Sequence, residues 1–288
     1  HAVADREAPA ELGDIGVAWR LARQLAHEHG CSVRLWVDHL PSLARICVEA
    51  NAQADIQRVR DIEVRRWGIP FPEVMPADIV IETFGCTAPE NYVIAMAHLA
   101  RPPAWVNLDY LSAEAWIDSH HGLPSPHARL PLTKYFYFPG FSEKTGGLLR
   151  EKNLLARRDA FQQDKSAQAA LWGGLGLEPP AQNELRISLF CYENPALPGL
   201  LQAWSEGLQP ITCLVPQGVA AESLAQFFPA GKNIPGFTKG QLTLHSIPFT
   251  DQDQYDELLW ACDVNFVRGE DSFVRAQWAA KPFIWHIY

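Results

Sequence analysis

The sequence lacks the features that would direct it to a membrane or to a nucleic-acid duplex. No run of about 18 apolar residues occurs, which excludes a membrane-spanning helix. The first residues, HAVADREAPAELGD, show neither the basic nor the apolar region of a signal peptide. Lys and Arg number 24 against 33 Asp and Glu, a net charge of −9. This balance argues against a broad basic face, although a local basic pocket is compatible with it. We expect no membrane and no nucleic acid as direct partners.

The sequence also lacks the short motifs of common metal sites and hydrolases. Its 6 cysteines are widely spaced, and none forms a CxxC or a Cys/His knuckle, so we predict no zinc site. This cysteine usage fits a reducing cytoplasm. No G-x-S-x-G occurs, so a hydrolase triad has no support. Asp251 and Asp253 match a DxD metal pattern, but they lie at a predicted helix start, where capping explains them better.

The composition and the element pattern predict an α/β protein. With 288 residues, 48% of them hydrophobic, the chain is long enough for about two globular domains. Apolar strands alternate with amphipathic helices twice, on either side of the polar linker GLEPPAQNE at 176–184. We therefore predict two Rossmann-like, doubly wound parallel domains facing a cleft, at residues 1–175 and 182–288.

Three further expectations concern individual segments. Residues 1–12 offer no apolar run, and the chain stops just after the strand predicted at 282–287. We therefore expect an N-terminal strand to be missing or altered and closing C-terminal helices to be missing. Single helices are predicted over 14–29 and over 157–173. The stretch 112–150 is predicted to be irregular and functional, because it is long and aromatic.

The first candidate site is the motif Gly13-Asp14-Ile15-Gly16 at the start of the first helix. Glycines allow a ligand to approach the backbone closely. Asp14 would lie at the carboxyl edge of the sheet, where open α/β folds bind ligands. Two interpretations remain open, a functional carboxylate and a simple N-cap of the helix.

The second candidate site is the corner Arg268-Gly269-Glu270-Asp271-Ser272, between an apolar strand and a helix. The free N–H groups of a helix start can bind phosphate. Glu270 and Asp271 would repel a diphosphate, so we expect them to face hydroxyls or a cationic acceptor. Alternatively, they only complement the helix dipole.

Two more segments could contribute to binding. Phe190 and Tyr192, at the end of the strand predicted at 185–192, could stack on a base or sugar, or simply pack in the core. Gln252 and Tyr255 could read a base edge near the same rim. The loop Pro139–Glu151, with residues 107–112 before it, suits a protein-binding surface or a plain structural loop.

Four segments together resemble the EarP family, bacterial protein-arginine rhamnosyltransferases that modify translation elongation factor P. The similarity runs from about residue 12 to the end of the chain, and its last segment is long and specific. The four segments are GDIGVAWRLARQL (13–25), NLDYLSAE (107–114), PGFSEKTGGLLRE (139–151) and VRGEDSFVRAQWAAKPFIWHIY (267–288).

The resemblance implies a fold, a reaction and roles for residues. The fold would be a two-domain GT-B glycosyltransferase. The donor would be dTDP-β-L-rhamnose, and the acceptor one arginine of elongation factor P, glycosylated with inversion and without a metal or other cofactor. Asp14 would act as general base, with Glu270 as a second acidic contact. Phe190, Tyr192, Gln252, Tyr255, Asp271 and Ser272 would bind the nucleotide sugar, and Gly13, Asn107, Tyr110 and Ser112 the acceptor.

The sequence departs from the family at one motif, and two alternative functions remain open. The family reads Asp-Asn-aromatic-Gly-Asp before the first helix, whereas this chain reads Ala10-Glu11-Leu12-Gly13-Asp14, without the first aspartate. The chain could instead be a GT-B enzyme that uses another nucleotide sugar and a small-molecule acceptor. It could also be a binding module without catalytic activity.

Overall fold

The computed structural model describes residues 2–4, 12–225, 227 and 236–287. The chain divides into two compact units, residues 1–152 and residues 153–288. Within the described residues, no helix combines the length and the hydropathy that crossing a bilayer requires.

The first unit is built on an eight-stranded sheet. Its strands are β1 (Ala2–Ala4), β2 (Arg34–Val37), β3 (Ile56–Val59), β4 (Ile62–Arg66), β5 (Ile79–Thr83), β6 (Ala104–Leu108), β7 (Pro124–Pro126) and β8 (Thr133–Tyr137). Its helices are α1 (Leu12–His29), α2 (Leu40–Ile46), α3 (Glu90–Ala97) and α4 (Ile117–His120).

The strand order of this sheet is β3-β4-β2-β1-β5-β6-β8-β7. In this spatial order the six strands from β4 to β8 are parallel, and β3 and β7 add antiparallel edges. The chain builds the sheet from β1 to one side and then, from β5, to the other. Ligands of open α/β sheets bind at the carboxyl ends of the strands where the order reverses, here beside β1.

We expected an N-terminal strand to be missing or altered, and the first of these alternatives is wrong. Ala2–Ala4 form β1, which pairs in parallel with β2 on one side and with β5 on the other. A central strand receives backbone hydrogen bonds from two neighbours, so three residues without a long apolar run are enough to continue the sheet.

The stretch 112–150 is more regular than the sequence predicts. It contains α4, β7 and β8, and β8 pairs in parallel with β6 in the register Trp105 to Lys134. The prediction of an irregular segment is wrong for these residues, because their strand character depends on the neighbouring strand.

The second unit has a six-stranded sheet in the order β11-β12-β10-β9-β13-β14. All pairs are parallel except β11 with β12. The strands are β9 (Leu185–Leu189), β10 (Ile211–Pro216), β11 (Phe237–Lys239), β12 (Leu242–Ile247), β13 (Val264–Arg268) and β14 (Phe283–His286). The helices are α5 (Leu154–Gln163), α6 (Lys165–Gly174), α7 (Leu197–Glu206), α8 (Ala221–Ala225), α9 (Gln252–Ala261) and α10 (Glu270–Ala279).

The division between the units falls before α5, not at 176–184 where the sequence places a linker. Phe161 of α5 packs with Trp260 of α9, and Trp172 of α6 shares a buried cluster with Leu258. The single helix predicted over 157–173 is two helices. Asp164 interrupts it in an extended conformation and caps α6, accepting hydrogen bonds from the N–H groups of residues 166 and 167.

Candidate active site

The acidic corner of the first unit lies at the start of α1. Because this helix begins at Leu12, Gly13 and Asp14 occupy its first turn, so the interpretation of Asp14 as the N-cap is wrong. A carboxylate in the first turn still gains from the helix dipole. Among the described residues, no atom outside the neighbouring helix backbone and the two adjacent residues lies within 4 Å of a Cβ built on Gly13. The described residues therefore leave room for a side chain there.

Asp14 is half-buried and accepts a hydrogen bond at Oδ2 from the Tyr110 hydroxyl, at 3.0 Å. The Tyr110 ring packs on Phe84, with centroids 4.9 Å apart, and its main-chain N–H donates to Asp109 Oδ1 at 2.8 Å. Asn107 contacts the same Asp109 carboxylate at 3.4 Å. Residues that follow β5 and β6 therefore fix the ring that orients Asp14.

Ser112 belongs to the local turn that follows β6. Its Oγ accepts from the Glu114 N–H at 3.1 Å, and its own N–H donates to the Pro139 carbonyl at 3.4 Å. Of the residues predicted to bind the acceptor, the structure thus brings Tyr110 directly to Asp14 and Asn107 to the adjoining Asp109, whereas Ser112 takes part in a turn.

The loop Pro139–Glu151 is held by the chain near its middle and at its C-terminal end. The Tyr137 hydroxyl donates to the Gly146 carbonyl at 2.7 Å, and a Cβ on Gly146 would collide with the Tyr137 ring. The Arg150 carbonyl accepts from Gln24 of α1 at 2.7 Å. These contacts support the structural-loop interpretation for residues 146 and 150. Phe141 remains exposed on its surface.

The corner of the second unit is the turn from β13 into α10. Gly269 is the N-cap residue of α10 with φ 64°, a left-handed conformation that favours glycine. Glu270 and Asp271 occupy the first helical turn. The buried Ser272 hydroxyl accepts from the Arg268 N–H at 3.1 Å and donates to the Arg268 carbonyl. Ser272 thus stabilises the turn itself.

Arg268 is a site residue to which the sequence analysis gives no role. Its guanidinium carbon lies 4.7 Å from the ring centroid of Phe190 and 4.4 Å from that of Tyr192. Its Nη1 donates to the Cys191 carbonyl at 3.2 Å. The signal for it was its place at the carboxyl end of β13, directly before Gly269. Parallel strand ends meet at one edge, so this position adjoins the end of β9.

His286, at the end of β14, is a second residue that the sequence analysis missed. Its Nδ1 accepts from the Tyr192 N–H at 3.2 Å, and the two rings meet edge to face at 5.3 Å. The same strand-end argument would have found it. His286 and Arg268 therefore both contact the Tyr192 ring.

Gln252 and Tyr255, on α9, join the same corner. Gln252 is buried, and its Nε2 donates to Asp271 Oδ2 at 3.4 Å. The Tyr255 ring meets Phe190 at 5.9 Å. Phe190 also packs against the core of the unit, so the core-packing alternative holds for part of its ring. The structure therefore brings together the six residues predicted to bind the nucleotide sugar, with Glu270 beside them.

Two carboxylates near this corner stabilise helix starts. Asp251 caps α9, accepting from the Gln254 N–H at 2.8 Å, which confirms capping as the explanation of the DxD pattern. Glu193, next to Tyr192, accepts from the Ser223 hydroxyl and from two N–H groups at the start of α8. The Ser223 hydrogen bond lowers the pKa of Glu193 below its usual value. The described residues contain no cluster of three or more potential metal ligands.

Comparison with known proteins gives one consistent result. Residues 10–288 match the family model of "Elongation-Factor P (EF-P) rhamnosyltransferase EarP". A protein-arginine rhamnosyltransferase of Pseudomonas putida is 52% identical over 278 residues, which are 96% of this chain and 73% of the relative. One from Shewanella oneidensis is 45% identical over 289 residues, with the same coverage of both chains.

A solved structure gives the same result. It is described as "Structural basis for EarP-mediated arginine glycosylation of translation elongation factor EF-P", and it is 38% identical to this chain with a TM-score of 0.63. The match covers 99% of this chain and 71% of the solved one. The fold similarity therefore extends over nearly the whole chain.

Proposed function

Because the chain belongs to the EarP family, we propose that it is an inverting glycosyltransferase that moves L-rhamnose from dTDP-β-L-rhamnose to an arginine of translation elongation factor P. The observation that carries this proposal is the Arg268 guanidinium. It lies over Phe190 and Tyr192 at the start of α10, in a chain whose relatives are named protein-arginine rhamnosyltransferases. We propose the cytoplasm as the location because the acceptor is a translation factor.

We propose a GT-B fold with two Rossmann-like domains. Both sheets are largely parallel, and in both the strand order reverses at the first strand of the unit, β1 or β9. This order is the one that places a ligand at the carboxyl ends of the central strands. Both candidate corners lie at such ends, after β1 and after β9 and β13.

The second unit provides a suitable place for the donor. Arg268 offers a positive charge and paired N–H donors to the diphosphate. The free N–H groups at the start of α10 carry a partial positive charge, which also attracts the diphosphate. Phe190 and Tyr192 provide aromatic faces for the base or sugar. We propose that these groups stabilise the departing diphosphate without a metal ion.

Asp14 provides the acceptor chemistry. A guanidinium has a pKa above about 12 and arrives protonated, so a carboxylate can grip it and orient one nitrogen. That nitrogen attacks the anomeric carbon, and the bond from carbon to diphosphate oxygen breaks, its electron pair leaving with dTDP. Asp14 accepts the proton that the nitrogen loses. One displacement inverts the anomeric carbon. Glu270 is proposed as a second acidic contact for the cation.

The direct test is the intact mass of elongation factor P after incubation with the chain and dTDP-β-L-rhamnose. A gain of one deoxyhexose, absent when the target arginine is replaced, is expected. No gain with dTDP bound, or a gain that survives replacement of the arginine, contradicts the proposal.

Asp14→Asn tests the base. We expect transfer to fall at least 100-fold, within the range that general-base catalysis contributes, while dTDP affinity stays within twofold. The matched control is Asp61→Asn, at an exposed carboxylate in the turn between β3 and β4. Normal turnover of Asp14→Asn would remove Asp14 from the mechanism.

The loop Pro139–Glu151 distinguishes a protein acceptor from a small one. If elongation factor P is the acceptor and contacts this loop, its addition should slow hydrogen exchange at residues 139–151. Unchanged exchange together with transfer to a small guanidine compound would favour the alternative of a small-molecule acceptor.

A further inference from the structure

The first unit contains a cavity that is separate from the candidate active site. It lies between α3 and residues 125–130 and has a volume of about 710 Å³, within the range of small-molecule sites. Trp105 of β6 and Lys134 of β8, cross-strand neighbours, line it. Asp14, Asn107, Tyr110 and Ser112 do not line it. We propose that this cavity binds a small-molecule carboxylate with an apolar body.

The first observation is the Trp105 side chain. It is 5% exposed, and its indole N–H has no hydrogen-bond partner among the described residues. Buried polar groups in proteins almost always have a partner, so an unpartnered N–H on a residue that lines a cavity points to an acceptor supplied by a ligand. An indole donates only, so the ligand atom must be an acceptor.

The second observation is Lys134, whose ammonium is fixed beside the same ring. Its Nζ donates to Glu82 Oε2 at 2.6 Å and lies 4.9 Å from the Trp105 ring centroid. Glu82 is fully buried, and its other oxygen accepts from the Ala88 N–H at 2.8 Å. An ammonium has three protons, so one that is held by Glu82 can still donate to a second acceptor.

The third observation is the orientation of the His127 ring. Its Nδ1 faces the N–H groups of Arg129 and Leu130, at 3.3 and 3.1 Å. A nitrogen that accepts two hydrogen bonds carries no proton, which assigns the proton of the neutral ring to Nε2. His127 lines the cavity, with its ring 6.3 Å from that of Trp105. Three of the residues that line the cavity, Trp105, Lys134 and His127, therefore carry N–H donors.

The charged side chains beside the cavity and its apolar walls limit the kind of ligand that can bind. Lys134 is balanced by Glu82, and Arg129 at the rim is paired with Glu90 at 3.0 Å. Two nearby carboxylates disfavour a phosphate dianion, whereas the two oxygens of one carboxylate suit an ammonium and an indole donor together. Val93, Ile94 and Leu130 form apolar walls that suit a hydrocarbon or aromatic body.

The test uses 4-phenylbutanoate and its neutral analogue 4-phenylbutanamide as probes. In ¹H–¹⁵N spectra of the whole chain, we expect the carboxylate to shift the Trp105 indole resonance in a saturable way. The amide should bind at least tenfold more weakly by calorimetry. No saturable shift, or equal binding of the amide, overturns the proposal.

Variants locate the binding. Trp105→Phe keeps an aromatic wall but removes the donor and should weaken carboxylate binding at least fivefold. Trp116→Phe, at an exposed indole outside the cavity, should leave it unchanged. If Trp105→Phe does not fold, the double variant Lys134→Met with Glu82→Gln replaces it, because this variant leaves no buried charge unpaired. It should abolish the preference for 4-phenylbutanoate over 4-phenylbutanamide. Unchanged binding in the folded variant overturns the proposal.

Discussion

One hydrogen bond, from the Tyr110 hydroxyl to Asp14, orients the carboxylate that we propose as the base. The two residues are 96 positions apart and meet because α1 starts at the carboxyl edge of the sheet, where β6 ends. A carboxylate that is held in one orientation loses less freedom when it grips a guanidinium.

The contribution of this hydrogen bond can be measured with Tyr110→Phe. The variant keeps the ring against Phe84 and removes only the hydroxyl, so a loss of about 1 kcal/mol, or roughly fivefold in kcat, is expected. The affinity for dTDP should not change. Tyr135→Phe, at an exposed tyrosine of β8, is the control. A wild-type kcat for Tyr110→Phe would show that the hydroxyl does not assist Asp14.

Arg268 allows a second test at the scale of a residue. A charge-assisted hydrogen bond contributes about 1.5–3 kcal/mol, so Arg268→Gln should weaken dTDP binding roughly 10- to 100-fold in calorimetry. Arg268→Lys should recover little, because an ammonium cannot stack on two rings and also form a planar fork. Arg58→Gln, at a highly exposed arginine, is the control. Full affinity in Arg268→Gln would exclude Arg268 from the donor site.

At the scale of elements, the first turns of α9 and α10 contain most of the residues of the candidate donor site in the second unit. They are joined by the Gln252 to Asp271 hydrogen bond, and by a buried ion pair in which Arg275 donates to Asp256 Oδ1 at 2.9 Å. Because both helices are fixed to each other, the residues of their first turns keep their places relative to Phe190 and Arg268.

The cap of α9 gives a prediction at this scale. Asp251→Ala should lower the free energy of unfolding by about 1 kcal/mol in urea titrations, whereas Asp251→Asn should lose much less, since asparagine also caps helices. Equal losses in the two variants would mean that the negative charge, rather than the hydrogen bond to the Gln254 N–H, is what stabilises the helix.

At the scale of the whole molecule, carboxylates in both units make stability depend on pH. Burial raises the pKa of Glu63, but hydrogen bonds from Arg34 and Arg65 outweigh it and lower that pKa. Glu184 also has a lowered pKa, because hydrogen bonds from Thr212 and Arg186 outweigh its burial. The pKa of Glu257 shifts in the opposite direction, because burial raises it.

This pattern predicts lower stability in acid. A carboxyl whose pKa is lower in the folded state stabilises the fold above its unfolded pKa, near 4.5, and this stabilisation is lost as the pH falls through the folded pKa. The free energy of unfolding in urea should therefore fall between pH 5 and pH 3. Glu63→Gln should reduce the change, whereas Glu257→Gln should not. A flat profile would contradict the assignment.

The sequence by itself determined the features that depend on neighbours along the chain. The buried parallel strand β10 is a nearly continuous apolar run, β9 alternates apolar with polar residues, and helices show their periodicity and caps, as α9 does with Asp251. These features predicted the alternating elements, and the strand ends indicated which polar residues would collect at one edge. The family segments added the roles of Asp14 and of the donor corner, which remain proposals.

Only the tertiary structure decided what depends on distant neighbours. β1 is a strand because β2 and β5 flank it. β3 forms a hairpin with β4 through Arg60 and Asp61, which adopt positive φ angles although neither is a glycine, so the sequence does not indicate this turn. The same holds for Arg268 over two rings, for Tyr110 on Asp14 and for the cavity beside Trp105. Sequence patterns record which face of an element is apolar, whereas such contacts depend on which elements the folded chain places side by side.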